Sequence, residues 1–295
     1  MLPPRSILAA VDFSEPSRTA LDFAARFARH TGAALHVLHA QDPLLAAAAK
    51  ASGVDLSQES REELARLVQS VSPPGGSPVQ YYTVTGPGAQ TISGIAEREQ
   101  VDLIVMGMHG MSGAARAMFG STTEGVLRHA SGSVLVVPDE WTPPRGTGGN
   151  LSGMGPVVAA VEFTEQAVAA ARAACRLAAL LDTSVDLVHI VAELPVLERW
   201  RGHAKAAVAQ RLDEARRELA GVERSLGATV PVRLHVESGP VAEGIAKAVA
   251  PGDDRHPLLV LGRRSRASRL GAPGATAYRV LTLIQAPTLV YLPEA

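Results

Sequence analysis

Residues 157–164, VVAAVEFT, repeat residues 7–14, ILAAVDFS, at an offset of 150. Residues 185–189 repeat residues 35–39 at that same offset, and Glu237-Ser238-Gly239-Pro240 answers Thr85-Gly86-Pro87. Further on, residues 258–262 answer residues 103–107 at an offset of 155, and Pro293 lies that far beyond Pro138. Matches in one order along the whole chain mean a duplicated domain. At 295 residues the chain gives each copy enough length for its own core. The copies are expected at 1–140 and 156–295, joined by a Pro- and Gly-rich linker, 141–155, without periodicity.

Within one copy, Ile7-Leu8-Ala9-Ala10-Val11 is a buried-strand run closed by Asp12. Ser14 caps the following helix, with Pro16 in its first turn, and Gly32 ends it. A second strand follows over 34–39, then a helix over 56–71 with Leu64, Leu67 and Val68 inward. Pro73-Pro74-Gly75-Gly76 breaks that helix. A third strand over 79–85, a helix ending near Gln100, a fourth strand, another helix and a fifth strand over 134–137 complete the copy. This alternation predicts an α/β fold in two tandem domains, each a five-stranded parallel sheet flanked by helices. In the second copy the longest helix carries Val208, Leu212, Ala215, Leu219, Val222 and Leu226, and packing on the sheet is preferred to a coiled coil.

The richest stretch for chemistry is 101–138. The apolar run Leu103-Ile104-Val105-Met106 ends in Gly107; Gly110 follows, and nine residues on come Gly120 and Ser121. Ser121 and Glu124 read as a capping box at a helix start. A strand, a glycine-interrupted loop and a fresh helix N-terminus are the parts of a phosphate cradle, because backbone N–H groups and the helix dipole both face an anion. With strand order 3-2-1-4-5, Asp12 and Gly107 would face one crevice at the carboxyl ends of neighbouring strands.

Composition excludes several functions. Apolar residues make up 46% and charged residues 19%, which is not the balance of a disordered chain. A net charge of −1 gives no electrostatic case for nucleic acid or an anionic membrane. No apolar run approaches the ~20 residues of a membrane span, and the N-terminus lacks a signal-peptide pattern. The lone Cys175, on an Ala-rich helix, fits a reducing compartment, so the expectation is a cytoplasmic protein. No GxxxxGK[ST] or HExxH motif is present.

Gly107-x2-Gly110-x9-Gly120-Ser121, with Asp12 after the first strand and Pro138 after the last, resembles the ATP-binding universal stress proteins. The likeness covers the first half fully and the second more weakly, as in a tandem member. It implies the adenine nucleotide α-hydrolase-like fold and a site made of Asp12, Ala40, Met106, Gly107, His109, Gly110, Gly120, Ser121 and Thr122, holding ATP with or without Mg2+. It also implies an intrachain pseudo-dimer through the fifth strands, with a homodimer open to it and the protein partner unnamed. A stress-response or regulatory role follows; a slow ATP hydrolase and a nucleotide-free interaction module are the alternatives. Asp12 as a plain helix cap and His109 as an ordinary loop residue compete with their ligand roles.

The second half departs from the pattern. Gly262-Arg263-Arg264-Ser265 stands against Gly107-Met108-His109-Gly110, Ala275-Thr276 against Gly120-Ser121, Glu162 against Asp12 and Arg279 against Glu124. If the glycines sit at positive φ, each replacement strains the backbone by roughly 1–2 kcal/mol. A weak or absent second site is expected.

Overall fold

The computed structural model describes residues 2–71, 79–110, 120–145, 149–193, 201–250, 255–263 and 274–293, with 201–205 given for backbone only. The breaker at 73–76 and the middle of the cradle loop, 111–119, lie outside the described residues. The chain divides into two compact units, with the boundary between Gly153 and Met154.

The first unit runs β1 (Ser6–Ala10), α1 (Glu15–Thr31), β2 (Ala34–Gln41), α2 (Pro43–Ala51), α3 (Leu56–Val71), β3 (Val79–Thr85), α4 (Gly88–Arg98), β4 (Leu103–Gly107), α5 (Ser121–His129) and β5 (Ser133–Val137). Its strands pair in parallel in the order β3-β2-β1-β4-β5. The second unit repeats it with β6 (Val157–Ala160), α6 (Glu165–Leu180), β7 (Val185–Ala192), α7 (Arg201–Leu226), β8 (Val232–Gly239), α8 (Val241–Ala248), β9 (Leu258–Gly262), α9 (Ala275–Leu283) and β10 (Thr288–Tyr291), ordered β8-β7-β6-β9-β10. Strands β4 and β5 are buried along their whole length, as strands covered on both faces must be.

Local chemistry sets the element ends. Ser14 caps α1, accepting a hydrogen bond from the Ser17 N–H, and Gly32 closes the helix in the left-handed conformation. Thr164 repeats that cap on α6. Between β1 and α1 the chain turns through Phe13 at φ 66°, and between β6 and α6 through Phe163 at φ 60°. Positive φ at a bulky residue is uncommon. Both rings pack on a histidine of the next strand, His39 and His189, whose Nδ1 atoms lie 2.9 and 2.7 Å from the carbonyls of Val11 and Val161. The duplication thus extends to a turn geometry that residue identity alone does not announce.

Helix α3 buries Leu64, Leu67 and Val68 as expected, and a polar network docks it. The buried Gln41 amide donates to the Leu56 carbonyl and to Ser60 Oγ, while its oxygen accepts from Ser57 and Thr85. Helix α2 was not expected; its N-cap is Asp42, followed by a proline, and it buries no residue. Helix α7 packs against β7, β8 and α6 with Ala215, Leu219 and Leu226 buried, so its spacing serves the sheet. The stretch expected as a linker is partly anchored: Trp141 packs edge-on against Phe23 at 4.9 Å, and Leu151 is fully buried. No described helix is long and apolar enough to cross a membrane.

Burial holds the His36 imidazole below its usual value, against a smaller upward pull from Glu99. The unfolded chain therefore takes up this proton more readily, so the contribution of His36 is intact above about pH 6.5 and declines as pH falls below it. His36→Gln should flatten that acid-side loss, read as denaturation midpoints between about pH 7.5 and pH 5.

Candidate functional site

Strands β1 and β4 are neighbours, with Ile7 beside Leu103 and Ala9 beside Val105. Their carboxyl ends open into a cavity of ≈ 500 Å³, and all nine residues singled out from the sequence line it: Asp12, Ala40, Met106, Gly107, His109, Gly110, Gly120, Ser121 and Thr122. Sequence reasoning missed Ser17, Asp42, Gly88, Ile92 and Thr123, which also line it. Asp42 carried a readable signal, an acidic N-cap before proline at the end of a strand. Thr123 carried none, because its partner is a backbone carbonyl sixteen residues away.

Asp12 has two jobs here. Its Oδ1 accepts from the Ser14 N–H at 3.1 Å and the Ser14 hydroxyl at 2.5 Å, fixing the residue that caps α1. Its Oδ2 lies against Gly110, where any Cβ would overlap it. The competing structural role of Asp12 is therefore real, yet the same carboxylate also faces the cavity.

Gly107 and Gly110 are required by proximity, not by φ. Gly107, Gly110 and Gly120 are absent from the positive-φ glycines, which corrects the strain argument. A Cβ on Gly107 would stand 2.9 Å from the Pro16 carbonyl oxygen of α1. Gly262 meets the Gln166 carbonyl of α6 at 2.8 Å in the same way. That contact explains why the strand-end glycine persists in both copies whatever either binds. At Gly120 a Cβ would meet nothing nearer than 3.6 Å among the described residues.

Two expectations about α5 are corrected. The N-cap is Gly120, with no side-chain cap bond; Ser121 is the first helical residue, and Glu124 pairs with Arg128 at 2.6 Å instead of closing a capping box. A helix start without a side-chain cap leaves its first N–H groups turned toward the cavity end. Thr123 Oγ1 donates to the Gly107 carbonyl at 2.9 Å and ties the helix start to the end of β4. Thr123→Val should cost about 1–2 kcal/mol, since it leaves a buried carbonyl unpaired, measured by chemical denaturation.

His109 is not an ordinary loop histidine. Its Nδ1 lies 2.8 Å from Asp139 Oδ2, and its side chain is only 14% exposed. Among the described residues Asp139 Oδ1 is buried without a hydrogen-bond partner. Asp12, Asp42 and His109 are the titratable groups around the cavity, with no lysine or arginine among its described lining. An anion here would rest on backbone N–H groups, hydroxyls and any cation it brings. Among the described residues no group of three His, Cys, Asp or Glu side chains is arranged for a metal.

The second unit must be realigned at its cradle. The Glu124 N–H donates to the Gly120 carbonyl, and the Tyr278 N–H donates to the Gly274 carbonyl, so Gly274 is the counterpart of Gly120. The loop is one residue shorter, and Ser121, Thr122 and Thr123 become Ala275, Thr276 and Ala277. Ser265, Arg264, Arg266 and Arg269 lie outside the described residues. A cavity of ≈ 460 Å³ persists beside Glu162, Gly262 and Gly274. The second copy keeps the space and changes its lining.

The sequence profile of the Universal stress protein family matches the chain twice, over residues 4–138 and 154–291. Universal stress protein A homolog 1 of Coxiella burnetii is 32% identical over a 141-residue alignment that covers 45% of this chain and 95% of that protein. Universal stress protein MJ0531 of Methanocaldococcus jannaschii is 29% identical over a 138-residue alignment that covers 45% of this chain and 81% of that protein. Among solved structures, a universal stress protein from Archaeoglobus fulgidus superposes with a TM-score of 0.69 over 99% of both chains, at 19% identity, a likeness of fold.

Proposed function

The chain belongs to the universal stress protein family, and from that premise we propose that its first domain binds one ATP in the cavity at the ends of β1 and β4. The observation that carries the proposal is the close fit of Gly110 under Asp12 beside the uncapped start of α5. Asp12 accepts hydrogen bonds from the nucleoside, the backbone at Ala40 runs along the base, and the N–H groups at Gly110, Gly120, Ser121 and Thr122 hold phosphate oxygens. Magnesium, when present, is carried by the phosphates and offsets the two nearby carboxylates. The volume lies within the usual range for small-molecule sites.

In this reading the protein is a cytoplasmic stress-response regulator whose nucleotide state alters its binding to a protein partner. Freshly purified protein should release ATP or ADP detectable by mass spectrometry. Stripped protein should gain thermal stability in excess ATP–Mg2+, as linkage requires of any ligand of the folded state. An unchanged melting temperature favours the nucleotide-free module.

One observation favours a second reading, slow ATP hydrolysis: the His109–Asp139 pair holds an imidazole in a fixed orientation at the cavity. Multiple turnover that is lost in His109→Gln, with ATP still bound, would move the protein into that class.

A further inference from the structure

We propose that the cavity of the second domain is a binding site for an uncharged, largely apolar small molecule, separate from the nucleotide site and independent of it. The volumes of the two cavities are nearly the same, ≈ 500 and ≈ 460 Å³, and the elements that build them correspond one to one. The hydrogen bonds from Val11 to Leu38 and from Val161 to Val188 fix the correspondence at the first strand, and the caps Pro87 and Pro240 fix it at the third crossover.

On that alignment Ser17 becomes Ala167, Ala40 becomes Ile190 and Gly88 becomes Val241, while Ser121 and Thr123 become Ala275 and Ala277. Every one of these changes removes a hydroxyl or adds aliphatic surface. Among the described residues, seven of the seventeen lining the first cavity are polar or charged; in the second there are three of sixteen, Glu162, His189 and Thr276. Among the described residues that line it there is no lysine or arginine.

The changes have not closed the space. Ile190, Ile245, Leu261 and Val280 line the cavity and also belong to the buried apolar cluster between the β6–β7–β9 sheet and helices α8 and α9. Val241 and Ala277 pack against that cluster from the cavity side. The cavity is therefore a continuation of the domain's core to the surface. Water in contact with such a wall is costly in proportion to the apolar surface it wets, and an apolar ligand of drug-like size removes that contact. Among the described residues a phosphate-bearing ligand finds the opposite: fewer hydroxyls and a carboxylate, Glu162.

Full-length protein saturated with ATP–Mg2+ can be titrated with N-phenyl-1-naphthylamine, an uncharged apolar fluorophore. The expected result is a saturable fluorescence rise at one probe per chain, with the same affinity with and without ATP. Ala275 is exposed at the start of α9, so Ala275→Trp should fold with an unchanged unfolding midpoint and weaken the probe at least tenfold by covering the cavity. Val241→Asn polarises the wall instead and should weaken it similarly; it serves if the tryptophan variant does not fold. Absence of saturable binding, displacement of the probe by ATP, or unchanged affinity in a folded variant overturns the proposal.

Discussion

Gly107→Val is expected to destabilise the first domain by about 2–3 kcal/mol in the absence of any nucleotide, and Gly262→Val the second domain by a similar amount. Each residue ends a buried central strand where valine would ordinarily be preferred, so intrinsic propensity favours the substitution. Contact decides the sign. The first side-chain carbon would stand 2.9 Å from the Pro16 carbonyl oxygen in one copy and 2.8 Å from the Gln166 carbonyl oxygen in the other. Both atoms are backbone in the first turn of a helix, which cannot rotate away as a side chain would. The measurement is the midpoint of chemical denaturation for each variant. A loss below about 0.5 kcal/mol, the range of ordinary surface changes, would show that the helix moves aside freely.

Gly110→Val should do the reverse. Its Cβ meets the far end of Asp12, a side chain that can swing out of the way. Doing so breaks the two bonds from Ser14, which costs about 1 kcal/mol of stability. The ligand loses far more: the carboxylate proposed to hold the nucleoside is displaced, and the valine methyls occupy the cradle. ATP affinity should fall at least 100-fold, read by titration calorimetry on the folded variant. Retained affinity would mean that the phosphates lie elsewhere. The pair of variants separates the two glycines by role: one serves the sheet, the other the ligand.

The architecture was legible because alternation of apolar runs with amphipathic helices leaves little choice once the duplication is seen. The position of the candidate site was legible too, since parallel sheets place ligands at strand ends and the glycine spacing marked which ends. The reason for the glycines was not. Positive φ is the usual ground for glycine in a loop, but here the cause is the approach of Pro16 and Asp12 from elements nearly a hundred residues earlier. Such contacts exist only after folding. The capping box failed for a related reason: Ser121 and Glu124 have the required spacing, yet the helix begins one residue earlier than that motif needs, and Glu124 takes Arg128 as its partner. The one-residue deletion in the second cradle escaped comparison by spacing because Ala275 imitated the missing glycine position; only the bond from Tyr278 to Gly274 restores the register. Asp139 and Thr123 reach the site through single hydrogen bonds that no motif records.

The two domains present one fold with two linings. The first holds polar groups around a glycine cradle; the second has exchanged hydroxyls for methyls around a cavity of nearly equal volume. Retention of Gly262 beside loss of the Ser121 and Thr123 hydroxyls separates what the sheet needs from what a nucleotide needs. The most direct measurement of that division is the number of ATP molecules bound per full-length chain, determined by titration calorimetry on protein stripped of small molecules. The account predicts one. None, or two of comparable affinity, would contradict it.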